Sequence, residues 1–182
     1  MSKLIMWNII TLDGYFEGEK NWELGFHESV WGSEMERFSL EQLYSTDYLL
    51  FGRVTYQGMA EHWKSAKGEI ADLMNKLPKI VCSRTLDSAD WNNSILIKEN
   101  AAFEINKLKA KGKKDMYVFG SANLSETLIK ENLIDEYRIC IAPVIAGKGR
   151  YLFSTGLPVR KLSLTSSQPL TTGGVILKYN SL

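Results

Sequence analysis

The sequence predicts an α/β fold of three layers: an eight-stranded mixed sheet between helices, closed by an antiparallel hairpin at its C-terminal end. Three observations carry that prediction. Eight short apolar runs, rich in β-branched and aromatic residues, recur along the 182 residues. Helical patterns lie between several of them through the first two-thirds of the chain, the alternation expected of a sheet covered on both faces. The last two runs have no helix between them, and "TTGG" at 171–174 has the composition of a hairpin turn.

The elements follow in order. The first strand is Leu4–Leu12, which meets a turn signal at Asp13 and Gly14. Glu34–Tyr44 repeats Met35, Phe38, Leu40, Leu43 and Tyr44 at helical spacing, and "SEME" at 33–36 has the form of a capping box with Ser33 as N-cap and Glu36 as its partner. Tyr48–Phe51 is a strand. Glu69–Lys76 is a helix, with Ile70, Leu73 and Met74 on one side. Strands Lys79–Cys82 and Ile95–Ile97 come next. Phe103–Leu108 is helical and stops at Gly112 after a lysine-rich turn. Strand Met116–Phe119 precedes a helix at Asn123–Lys130. The final strands are Tyr137–Ala142, Leu162–Thr165 and Val175–Tyr179. There is no internal repeat, low-complexity tract or long linker, so one domain over residues 1–182 is expected.

Composition narrows the function. Hydrophobic residues make up 45% of the chain, enough for a core, and 24% are charged. Twenty-two Lys and Arg against 21 Asp and Glu leave a net charge of +1, which argues against a general binder of nucleic acid or membrane surfaces. The two cysteines, Cys82 and Cys140, sit in apolar runs, and His27 and His62 are the only histidines. No metal site is therefore expected. The N-terminal apolar run is too short for a signal peptide or membrane helix, and the expected location is the cytoplasm, with reduced thiols.

Three strands end in residues suited to phosphate. "YLLFG" runs into Arg53, Val54 and Thr55; "KIVCS" into Arg84 and Thr85; "MYVFG" into Ser121, Ala122 and Asn123. In open α/β sheets ligands bind beyond the carboxyl ends of strands. Glycine permits close backbone approach, a following helix offers unpaired N–H groups, and hydroxyl and guanidinium groups add charge-assisted bonds. Each element alone reads as a turn or a helix cap; their joint occurrence predicts a site for a phosphorylated dinucleotide. "GKGR" at 147–150 lacks the spacing of a phosphate loop and reads as a flexible surface loop.

These residues also carry a resemblance. "TLDGYFEG" at 11–18, "LLFGRVTYQGM" at 49–59, "KIVCSRTL" at 79–86, "VFGSANLSETLI" at 118–129 and "LIDEYRICIAPVIAGKGRYLF" at 133–153 fall in order over nearly the whole chain. Together they resemble the dihydrofolate-reductase-like superfamily, and more narrowly the bacterial relatives of the riboflavin-pathway pyrimidine reductase (RibD C-terminal) domain. The resemblance implies an eight-stranded mixed sheet that binds NADPH and transfers hydride to a small heterocyclic, carbonyl or imine substrate, as a 5-amino-6-(5-phosphoribosylamino)uracil reductase does. It implies that Gly52, Arg53, Val54 and Thr55 open a helix near the cofactor phosphates. Ser83, Arg84 and Thr85 would meet the adenosine 2′-phosphate, and Gly120, Ser121, Ala122, Asn123 and Leu124 would cradle the pyrophosphate. The backbone at Ile9 and Ile10 would flank the nicotinamide. Where dihydrofolate reductases often have a cis glycine bond, Ser121 replaces the second glycine, and a cis bond there would cost about 3 kcal/mol or more.

On the substrate side the resemblance points to Glu36, sixteen positions before Gly52, as the catalytic acid. It shares a helix face with Leu40, Leu43 and Tyr44, an apolar setting suited to holding a proton. Asp13, Trp22 and Glu36 are expected in the substrate pocket; Trp22, His27 and Trp31 either line that pocket or cover the core, and His27 reads as a solvated loop residue rather than an acid. The chain lacks both the basic residues that hold a ribose phosphate in pyrimidine reductases and the arginine that grips a folate tail. A dihydrofolate reductase and a nucleotide-binding module without turnover stay open as alternatives. The antiparallel C-terminal strands and the resemblance together predict a homodimer.

Overall fold

The computed structural model describes residues 2–182. In chain order it contains β1 (Leu4–Thr11), β2 (Tyr15–Glu17), a 3-10 helix (Gly25–Val30), α1 (Ser33–Tyr44), β3 (Thr46–Gly52), α2 (Arg53–Trp63), α3 (Glu69–Lys76) and β4 (Lys79–Cys82). Then follow β5 (Ser94–Ile97), α4 (Ala101–Lys111), β6 (Asp115–Phe119), α5 (Ala122–Lys130), β7 (Glu136–Ala142), β8 (Arg150–Tyr151), β9 (Leu162–Pro169) and β10 (Val175–Ser181).

Eight strands form one sheet in the order β5-β4-β3-β6-β1-β7-β10-β9. The first six are mutually parallel, and β10 runs antiparallel to both β7 and β9. The carboxyl ends of β1, β3, β4, β5 and β6 therefore share one rim. Side chains alternate across the sheet. Ile5, Leu49, Phe51, Val81, Tyr117 and Phe119 pack with Leu43 of α1, Tyr56 of α2 and Met74 of α3. Leu4, Met6, Leu50, Ile80, Met116 and Val118 face the other way, toward Ile105 of α4 and Leu124 and Leu128 of α5. A strand buried on both faces must be apolar throughout, which is why these segments read as continuous runs rather than alternating ones. The fold is the mixed, three-layer sheet with a C-terminal antiparallel pair that the sequence predicts.

The differences are local. β2 and β8 pair antiparallel as a separate two-stranded sheet, absent from the sequence prediction. Helix α1 starts one residue earlier than the capping box requires: Gly32 is its N-cap, no side chain caps it, and Ser33 is already helical. Among the described residues no peptide bond is cis. β9 is an edge strand in which every residue except the half-buried Gln168 is exposed. β4 opens with a buried charge. The Lys79 ammonium is fully buried and donates to the carbonyls of Asn75, Leu77 and Asn92 at 3.0, 2.8 and 2.9 Å, lying 4.4 Å from the centre of the Trp91 ring. Three acceptors use its three hydrogens, so the charge holds the α3–β4–β5 corner together rather than disrupting it.

Candidate functional site

A cleft of about 1250 Å³ lies along the strand ends. Its two central walls are the starts of α2 and α5, and Ser121 ties them together. The Gly52 N–H donates to Ser121 Oγ at 2.9 Å, the Ser121 N–H donates to Thr55 Oγ1 at 3.0 Å, and the Ser121 hydroxyl donates to the Phe119 carbonyl at 3.1 Å. Gly120 and Ser121 both have positive φ, 55° and 59°. That left-handed pair turns the chain from β6 into α5. A Cβ on Gly120 would stand 3.3 Å from Thr55 Cγ2, so the glycine lets the two turns touch.

Ser121 pays a conformational cost for this bond, since left-handed backbone disfavours a residue with a Cβ by about 1–2 kcal/mol. Ser121→Ala is expected to lose about 2 kcal/mol of unfolding free energy, because it keeps the strained backbone and leaves the Gly52 N–H without its partner. Ser121→Gly should lose about 1 kcal/mol less than Ser121→Ala. Urea unfolding of the three proteins checks this, and equal losses for the two variants would refute the strain.

The tie leaves the helix starts open. In α5 the Ser125 N–H bonds back to the Ser121 carbonyl at 2.8 Å, so the N–H groups of Ala122, Asn123 and Leu124 precede the helical ladder. The first residues of α2 do the same. Arg53 is exposed beside them and, among the described residues, its guanidinium meets only Gln57, at 3.4 Å. The third strand end differs from the other two: no helix follows β4. Instead Ser83 Oγ accepts the N–H groups of Thr85 and Leu86 at 3.2 and 3.0 Å, forming a turn with Arg84 exposed inside it. Arg53, Arg84 and Ser121 all line the one cleft.

Of the residues predicted for the cofactor, Ile9, Gly52, Arg53, Val54, Thr55, Ser83, Arg84 and the stretch Gly120–Leu124 line the cleft; Ile10 and Thr85 do not. Trp22 also lines it, seated on α2 where a Cβ on Gly58 would stand 2.5 Å from the indole. Asp13 and Glu36 lie outside. Asp13 accepts from the Thr11 hydroxyl at 2.6 Å and from the N–H groups of Ala146 and Gly147, and these bonds, the first above all, hold its carboxyl down at about 2. Its task is to fasten the 144–149 segment to the β1 turn. Glu36 is exposed in the first turn of α1, and the apolar setting expected around it is missing; the lining residues of that helix are Ser39, Gln42 and Leu43.

Several lining residues escaped the sequence reading. Arg150, expected in a surface loop, donates to Glu17 Oε1 at 3.3 Å and to Asn123 Oδ1 at 2.6 Å, bridging the β2–β8 flap to the start of α5. Gly149 allows it: a Cβ there would fall 2.4 Å from the Glu17 carbonyl. The glycine-flanked arginine was the available signal. Glu17 is 5% exposed and also accepts the Trp22 N–H at 3.1 Å. Asn8, 4% exposed, lines the cleft, and among the described residues its Nδ2 has no partner. His27 is half-buried in the cleft lining rather than solvated; among the described residues its buried Nε2 has no partner, and burial pushes its pKa down to about 4.

Cys82 lines the cleft too, but burial pushes its thiol up to about 12, and that of Cys140 likewise. About one thiol in ten thousand is then ionised at pH 8. Neither cysteine of the folded protein should react with a disulfide reagent at pH 8 on the minute scale, and both should react in denaturant. Rapid labelling of the native protein would contradict this.

The sheet order and its strand-end cleft define a protein of dihydrofolate-reductase-like fold. Within that class the chain belongs to the RibD C-terminal domain family, whose profile matches residues 2–176. It is 30% identical over 183 residues to YyaP of Bacillus subtilis (strain 168), spanning 98% of this chain and 94% of that protein. A structure from Shewanella sp. PV-4, described as a riboflavin biosynthesis protein, superposes with a TM-score of 0.81 at 22% identity, over 99% of each chain. Dihydrofolate reductase from Enterococcus faecalis, complexed with NADP(H) and RAB-propyl, superposes with a TM-score of 0.66 at 14% identity, over 98% of this chain and 96% of that one. Among the described residues no helix is long and apolar enough to cross a membrane, and no cluster of side chains suits a metal ion.

Proposed function

We propose that the protein is an NADPH-dependent oxidoreductase of the pyrimidine-reductase-like group, acting on a small heterocyclic, carbonyl or imine substrate. The observation that carries this reading is the convergence of two open helix starts with Arg53 and Arg84 on one cleft. The donor set fits a phosphorylated dinucleotide. N–H groups of α2 and α5 suit a pyrophosphate, and Arg84, at the end of the next strand outward, suits a further phosphate. A bound NADPH supplies the hydride. The chain's own part is to hold the two ligands against each other and exclude water: Gly120 permits close approach at the α5 start, Trp22 closes the cleft over α2, and Arg150 holds the flap.

The test is a fluorescence titration with NADPH and NADH, followed by a screen of heterocyclic substrates for loss of nicotinamide absorbance. Saturable NADPH binding with consumption by one substrate class is expected; absence of binding by either nucleotide would overturn the reading. A second reading, a nucleotide-binding module without turnover, draws on one observation. Glu17, the buried carboxylate in the cleft, is occupied by Arg150 and the Trp22 N–H, and Glu36 is outside. Binding without turnover would select it.

The working form in this proposal is a cytoplasmic homodimer. Two free cysteines suit a reducing compartment. The exposed edge strand β9, with Leu162 and Leu164, offers unpaired backbone groups and apolar side chains to a second copy. Sedimentation at micromolar concentration should give about twice the chain mass, and a monomer there would count against it.

A further inference from the structure

The cleft has two unlike halves. Four cationic residues line it: Arg53, Arg84, Lys98 and Arg150. The first three follow the carboxyl ends of β3, β4 and β5, which stand two, three and four strands from β1. At strand spacing those distances are roughly 10, 14 and 19 Å. Arg150 lies nearer β1, but Glu17 and Asn123 already engage it.

The half between β1 and α1 is of another kind. Alternation along β1 turns Trp7 and Ile9 toward α1, where the 3-10 helix also packs. Trp31, His27, Ser39 and Gln42 complete this part of the lining. Its walls are indole and aliphatic, and its polar groups are uncharged. The His27 Nε2 has no partner, and burial keeps the ring neutral. Gln42 is 2% exposed and its Oε1 accepts from Arg138 at 3.4 Å, which leaves the Nε2 hydrogens to donate.

Resting on the NADPH-reductase reading, we infer that the β1–α1 half takes a flat, uncharged ring bearing a carbonyl or ring-nitrogen acceptor, gripped by His27 and Gln42, and draws no affinity from a phosphate on the substrate. A neutral ring stacks on the tryptophans and presents acceptors to the amide and imidazole. A phosphate there gives up its water and meets no free cation among the described residues, an unfavourable exchange. This sets the protein apart from a reductase of phosphoribosyl pyrimidines.

The test uses matched pairs that differ by one phosphate: riboflavin with its 5′-phosphate, and uridine with uridine 5′-monophosphate. Each is titrated calorimetrically into the protein saturated with NADP⁺, which fills the cationic half. The unphosphorylated member of a pair should bind at least as tightly as its ester. His27→Phe, which preserves packing, and Gln42→Leu should each weaken it about fivefold and change NADP⁺ affinity less than twofold. Tighter binding of the esters by tenfold, no binding of any member, or no effect of either variant on a binding ring would overturn the inference. If NADP⁺ itself fails to bind, the reductase reading falls, and the same pairs titrated into the free protein still judge the ring site.

Discussion

Replacing Arg84 by alanine should weaken NADPH binding about 10- to 100-fold while leaving NADH within about threefold. Among the described residues no hydrogen bond or ion pair engages the Arg84 side chain, and the turn that carries it is built by Ser83. The strand it follows lies one position outward from β3, past the paired helix starts. A guanidinium so placed is free to meet the phosphate that distinguishes the two cofactors. Charge-assisted bonds of this kind contribute about 1.5–3 kcal/mol, which sets the expected range. Arg53 makes the contrast: it sits at the start of α2 beside the phosphates common to both cofactors, so Arg53→Ala should weaken the two alike. Fluorescence titrations of both nucleotides against both variants separate the roles. Equal losses for Arg84→Ala would remove it from the 2′-phosphate.

The stability of the protein should fall by about 3 kcal/mol more than that of its His27→Phe variant as pH drops from 7 to 4. Burial holds the imidazole at about 4 against 6.5 for an exposed histidine. As pH falls through 6.5 the unfolded chain takes up a proton that the folded chain refuses. Stability is therefore lost between 6.5 and about 4, and the loss levels off below the folded value. At 1.36 kcal/mol per unit the gap amounts to about 3 kcal/mol. Urea unfolding across this range, wild type against variant, isolates the one group. Parallel curves would mean that the ring is already charged, or solvated, in the folded protein.

Much of this architecture was legible in the chain. The eight strands of the main sheet were each visible as apolar runs; the central ones are covered by helices on both faces, so few polar residues interrupt them. The strand ends were legible because hydroxyl and basic or glycine residues, ordinary after any one strand, recur after three of them. β2 and β8, of three and two residues, are too short to show any period. Their pairing depends on Gly149 meeting the Glu17 backbone across more than a hundred residues of chain. The capping box failed for a similar reason. Glu34 turns to the hairpin at Thr171, bonding its N–H at 2.7 Å, and α1 begins where that contact and Gly32 place it, not where local capping would.

By itself the sequence determined the class of sheet, the order of its layers and the three segments that gather at one rim, all consequences of hydrophobic period and of backbone chemistry local to a few residues. The tertiary structure alone decided which polar side chains face the cleft: Arg150, Glu17 and His27 enter it, and Glu36 and Asp13 do not. Orientation at such sites is set by packing and hydrogen bonds between residues far apart in the chain, a geometry that no local pattern encodes.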